Sequence, residues 1–158
     1  MAKSCIGDSP SGFNPLALGD YGELYILESD AYSGLAVATP MVIAPMNRGP
    51  QKNITLSGAN GRMFIEQPGS YQMKLRMSFS LSGAATFMVG FFLGGVLVPD
   101  TEQSVDIQNA NQVENIFIFG QFEAEAEDLP LIFDVRPWAT SARIMDVQHL
   151  TWGTKGLF

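Results

Sequence analysis

The densest run of chemically capable groups in this 158-residue chain is acidic. Glu123, Glu125 and Glu127 alternate, and Asp128 follows them. On an extended strand alternate residues share a face, which would align three carboxylates with a fourth beside them. Such charges repel unless they face solvent, meet Lys or Arg, or hold a hard cation. The run therefore reads either as a solvated strand face that discourages wrong edge pairing, or as an oxygen-ligand site for a cation such as calcium. Glu123, Glu125, Glu127 and Asp128 are the metal candidates the sequence offers. His149 is the single histidine, so a multi-histidine metal site is excluded. It falls in the alternation of a late strand, where a packed or surface role is the plainer reading. There is no Gly-x-Ser-x-Gly elbow and no phosphate loop. Cys5 is the sole cysteine, which rules out an internal disulfide. With only Lys3 as a basic neighbour, it lacks the electropositive setting of a reactive thiol. No catalytic residue and no cofactor are assigned, and the chain reads as a non-enzyme.

Any such groups need a scaffold, which is written most clearly in residues 69–82. From Tyr71 to Ser82 apolar and polar residues alternate without exception. A helix would scatter them, whereas a strand gathers Tyr71, Met73, Leu75, Met77, Phe79 and Leu81 on one face. Each side chain so buried contributes ~1.5–3 kcal/mol, which requires a second apolar layer. The other segments supply it. Residues 23–29, 34–44 (divided by Pro40), 54–56, 63–65, 85–93, 96–98, 115–126, 131–135 and 143–152 all read as strands. Gly and Pro turns separate them, residues 45–50 and 99–114 read as loops, Pro137 as a strand end, and 153–158 as a short tail. No stretch has a helical period. The fold class is all-β, a two-sheet jelly-roll sandwich. Residues 1–22 read as an extended arm with Phe13, Leu16 and Leu18 as anchors, and residues 23–158 as one domain.

From Met77 to Pro99 there is no charged residue, a length that could span a membrane as a helix. Strict alternation into its first part and punctuation by Gly83, Gly90, Gly94 and Gly95 favour strands instead. A strand apolar on both faces is covered on both. The sequence therefore predicts that Phe91, Phe92, Phe117 and Phe119 meet another subunit. Charged residues are 16% of the chain, below the usual ~25%, which also fits covered surface. Net charge is −7 and no Lys/Arg cluster exists, so neither nucleic acid nor an anionic membrane is expected as partner. The N-terminal residues lack an apolar run, so synthesis in a cytoplasm is expected.

Several of these residues together resemble a known family. Met63-Phe64-Ile65, then Pro68-Gly69-Ser70-Tyr71 and the long strand, are similar to the Gly-x-Tyr strand of the tumour-necrosis-factor and complement-globular-head jelly rolls. Residues 87–98 resemble the strand and hairpin that follow there, and residues 128–135 its acidic turn and strand. Glu127-Asp128 stands where Gly-Asp is usual. The resemblance implies a jelly roll that trimerises around an apolar axis. It also implies the roles such folds take in viral structural proteins. The expectation is a virion protein: a homotrimeric phage capsid decoration protein, made in the host cytoplasm, with the major capsid protein as partner. The alternative is a receptor- or carbohydrate-binding head of a phage fibre or spike, with contacts in residues 99–114 or 45–53.

Overall fold

The computed structural model describes residues 19–28 and 32–157, so Phe13, Leu16 and Leu18 lie outside the described residues. Twelve strands follow in order: β1 (Tyr21–Ile26), β2 (Tyr32–Ala36), β3 (Asn47–Lys52), β4 (Ile54–Ser57), β5 (Arg62–Ile65), β6 (Gly69–Leu81), β7 (Ala85–Leu93), β8 (Val96–Leu97), β9 (Gln103–Ile107), β10 (Glu114–Ala124), β11 (Leu131–Ala139) and β12 (Arg143–Gly156). They form two antiparallel sheets. The first runs β10-β6-β12-β1-β3, with β2 also on β12. The second runs β4-β5-β11-β7-β8, with β9 also on β7. The chain is an all-β jelly-roll sandwich.

β6 behaves as its pattern requires. Tyr71, Met73, Leu75, Met77, Phe79 and Leu81 are all buried, and the strand lies between β10 and β12. The layers meet through aromatic side chains. Phe79 stacks on Phe87 at 4.1 Å between ring centroids, Phe122 meets Phe133 at 4.7 Å, and Phe91 meets Trp152 at 6.0 Å. Each pair joins a strand of one sheet to a strand of the other and adds to the burial itself.

Residues 37–44, expected as strand, lie outside the strands, which end at Ala36 and resume at Asn47, and four other boundaries differ from the sequence expectation, each of those for a tertiary reason. Residues 47–52, expected as loop, form β3 because β1 offers an edge; Tyr21 faces Lys52 and Tyr25 faces Asn47. Pro50 is tolerated there because β3 ends the sheet. Within the expected loop 99–114, β9 pairs with β7, with Ile107 opposite Ala85. β11 does not stop at Pro137. The Pro137 carbonyl accepts from Met41 N–H, so its missing N–H faces residues 37–43 and the ladder to β7 is left intact. The expected tail is also strand: β12 pairs with β6 as far as Gly156 opposite Tyr71.

Strand entry is pinned beside strand exit. Gly156 N–H donates to the Asp20 carbonyl at 2.8 Å. The buried Asp20 carboxylate accepts from Asn53 Nδ2 at 2.9 Å. The Tyr71 hydroxyl donates to the Gln67 carbonyl at 2.8 Å, with Asp20 Oδ2 3.3 Å away. Burial, reinforced by Asp20, holds the Tyr71 phenol well above the usual tyrosine range.

Candidate functional site

The alternation that turns Tyr71 and Leu75 inward turns Gln72, Lys74, Arg76 and Ser78 outward on the first sheet. Register decides what joins them. Phe117 lies opposite Arg76, and Phe119 opposite Lys74, on β10. Across β6, Thr151 lies opposite Arg76, Gly153 opposite Lys74 and Lys155 opposite Gln72. On the far side Tyr21 sits between Lys155 and Lys52. Phe117 is 53% exposed and Phe119 44%. The outer face of the first sheet is thus two open phenyl rings laced with Lys74, Arg76, Lys155 and Lys52.

These cations differ from Arg62, Arg136 and Arg143. Arg62 and Arg136 both reach the buried Asp134 carboxylate, at 3.4 and 2.7 Å, and Asp134 holds the Arg136 guanidinium charged above its already high range. Arg143 donates to the carbonyls of Ala84 and Ala142. Among the described residues no ion pair is formed by Lys74, Arg76, Lys155 or Lys52. Gly153 lacks the side chain that would fill its place in the row. A hollow of about 300 Å³ opens there, bordered by Tyr21, Glu23, Gln72, Lys74 and Lys155. Acidic groups gather elsewhere: Asp100, Glu102 and Asp106 lie exposed along the β8–β9 side of the second sheet.

The four phenylalanines expected at one interface are not brought together. Phe117 and Phe119 are on the open face. Phe91 points into the sandwich and is 1% exposed. Phe92 points out of the second sheet, away from Phe117, where Trp138 meets it edge-on at 5.9 Å and the Arg136 guanidinium sits 5.1 Å above its ring. β7 is indeed covered on both faces, but its outer cover is the chain's own. Leu97 also folds over Gly90, whose missing Cβ would lie 2.7 Å from Leu97 Cδ1.

The acidic run is also not a cluster. β10 ends at Ala124, so only Glu123 belongs to the strand, and its carboxylate accepts from Ser70 Oγ. Glu125 precedes a 3-10 turn over Ala126–Asp128, which breaks the alternation that would have aligned Glu125 and Glu127 with Glu123. Among the described residues no three His, Cys, Asp or Glu side chains gather as a metal site. Nor is any described helix long and apolar enough to cross a membrane; the uncharged run is the end of β6, then β7 and β8.

No family model matches the chain, and no curated protein matches it in sequence. Solved structures do. The Eiger TNF of S. frugiperda superposes with a TM-score of 0.59 at 12% identity, over 88% of this chain and 92% of that one. The globular domain of the zebrafish complement 1qA protein gives 0.53 at 11% identity, over 88% and 98%. The fold is that of the TNF and C1q jelly rolls. In this TNF/C1q-like sandwich β6 is a central strand, and the open aromatic-cationic face lies across β10, β6, β12 and β1.

Sequence reasoning found Phe117 and Phe119 but missed their pairing with Arg76 and Lys74. Both strands alternate legibly; the register that sets those residues opposite one another has no local signature. The arrangement offers flat apolar area beside unpaired cations, which suits contact with a surface carrying carboxylates.

Proposed function

We propose that the protein is a non-enzymatic assembly module: a homotrimeric virion protein that decorates and stabilises a phage capsid shell, with the major capsid protein as its second partner. The observation that carries the self-association part is the pair Phe117 and Phe119, open on a sheet face and flanked by unpaired Arg76 and Lys74. Exposed aromatic area beside arginine is the composition of an interface core. The acidic β8–β9 side supplies the complementary charge for a head-to-tail contact that closes into a ring. The resemblance to trimer-forming jelly rolls supports three as the closing number. The capsid role rests on the roles such jelly rolls take in viral structural proteins, and the part of the N-terminal arm that precedes Gly19 is proposed to engage the particle.

Light scattering tests the assembly. A mass near three times 17.2 kDa is expected, and a monomer at micromolar concentration refutes it. Occupancy on capsids tests the partner. Deleting residues 1–18 is expected to lower occupancy while leaving the trimer intact, and unchanged occupancy removes the arm from the reading.

A further inference from the structure

A hollow and a projection on this subunit answer each other. The hollow lies on the outer face of the first sheet, where Gly153 stands opposite Lys74 on one side and Glu23 on the other. A side chain added at Gly153 would meet nothing closer than 3.8 Å, so the place is open. The space there, about 300 Å³, is bordered by the partly exposed Tyr21 ring, Pro50, Lys74 and Lys155, with Glu23 as its one acid. Lys52 stands opposite Tyr21. Cations therefore outnumber acids around an apolar depression, and Lys74, Lys155 and Lys52 form no ion pair among the described residues.

The projection is the tip of the β7–β8 hairpin. Gly94 and Gly95 make the turn, both with positive φ, and Val96 follows. Val96 is 70% exposed, more than any other large apolar side chain among the described residues. A Cβ at Gly94 would touch nothing, so the tip is slim and stands clear of the sandwich. Asp100 and Glu102 come shortly after it, both exposed. The tip cannot reach the hollow of its own subunit. Residues 98–101 border a cleft with Phe119 to Phe122 of β10, which places the hairpin beside β10, and β6 separates β10 from β12. Height along the strands nevertheless matches. Val96 pairs with Leu93 and Leu93 with Phe133, which meets Phe122, opposite Tyr71 on β6. Gly153 pairs with Lys74, three residues along β6 from Tyr71, roughly 10 Å of strand.

A contact that closes into a ring by rotation about an axis along the strands joins two different patches at one height. We infer that Val96 of each subunit seats in the Gly153 hollow of the next, with that hairpin's Asp100 and Glu102 meeting Lys74 and Lys155. An apolar knob inside a rim of opposite charges has the layout of an interface core and its surround. The docking rests on the self-association reading and supplies its contact; the occupant is a second copy of this chain.

The full chain and its variants are compared by light scattering over a dilution series, with far-UV circular dichroism as the check on folding. Val96 lies on the surface and Gly153 has room, so both positions accept a change without loss of the strands. Val96→Lys and Gly153→Leu are each expected to weaken association by roughly tenfold or more. Met41→Lys, at an exposed apolar residue beside Pro137 and away from both patches, is expected to leave it within about twofold. In a Cys5→Ser background, Val96→Cys combined with Gly153→Cys is expected to give covalent oligomers with an added oxidant, seen on a denaturing gel and absent from either single change. Undiminished association in Val96→Lys or Gly153→Leu, or a trimer that yields no covalent oligomer, overturns the docking and leaves self-association standing. A native chain that stays monomeric at micromolar concentration overturns both.

Discussion

Phe117 on β10 lies directly across the ladder from Arg76 on β6, and both side chains leave the sandwich on the side away from its core. The exposed ring gains burial only when something approaches from outside, and the guanidinium beside it, with no ion pair among the described residues, is free to meet a carboxylate there.

Changing Phe117 and Phe119 together to lysine would set two new cations opposite Arg76 and Lys74. Like charges directly across a ladder destabilise it slightly and repel any partner more strongly. Association is expected to weaken by about 2 kcal/mol or more, the scale of an interface hot spot. Light scattering would show the trimer mass lost while far-UV circular dichroism keeps its strand signature. A variant that remains trimeric removes these rings from the contact.

Phe91 is the contrasting case. It is enclosed against Trp152, so Phe91→Ala is expected to cost about 3–5 kcal/mol of folding stability. Phe117→Ala, on the surface, should change folding of the monomer by no more than about 0.5 kcal/mol. Urea denaturation of both variants at concentrations below association checks this. Equal losses would contradict the opposite orientations of the two rings.

Tyr71 makes stability depend on alkali. Its phenol is held above its ordinary pKa of about 10 by burial and by Asp20. The folded state therefore keeps the proton where the unfolded chain releases it. The stabilisation is complete below the unfolded pKa and declines as pH rises toward the folded one. Stability is expected to fall above about pH 10, and Tyr71→Phe should flatten that decline. Denaturant midpoints at successive alkaline pH values, compared between the two proteins, give the answer; parallel curves would discard the assignment.

Asp134 is buried beneath Arg62 and Arg136. Asp134→Ala would leave both guanidinium groups without their carboxylate. Since Arg62 is substantially exposed and rehydrates readily, the expected cost is about 1–3 kcal/mol, below that of a fully enclosed pair. The Arg136 guanidinium would also lose the anchor that holds it over Phe92, and Trp138 fluorescence should report the change. A midpoint and spectrum both unaltered would show that the ion pair contributes little.

The parts of this fold legible in the sequence are those in which one side chain's fate depends on its immediate neighbours. Tyr71 to Leu81 reveal a half-buried strand because every second residue is apolar, and Gly94-Gly95 reveals its hairpin turn between β7 and β8. β3 is nearly all polar, and only the edge of β1 makes it a strand. The apolar pattern of β7 assigns the cover of Phe92 to another subunit, and nothing local says that Arg136 and Trp138, more than forty residues on, lie against it instead. Glu125 and Glu127 continue the alternation of β10 on paper, but the backbone leaves the ladder at Ala124. The candidate site follows the same rule: Phe117 and Phe119 stand out in the sequence, whereas Arg76 and Lys74 join them only through register.

The hydrogen bond from Gly156 to Asp20 also has a mechanical consequence. β1 and β12 are antiparallel neighbours, paired from Tyr21 with Lys155 through to Ile26 with Leu150. Tension applied between residues 20 and 156 therefore acts across the ladder rather than along it. The six pairs would open one after another like a zip instead of resisting together in shear. A tether pulling on both ends would peel this sandwich at low force, whereas a pull spread over the broad face of the first sheet would meet all of its strands at once.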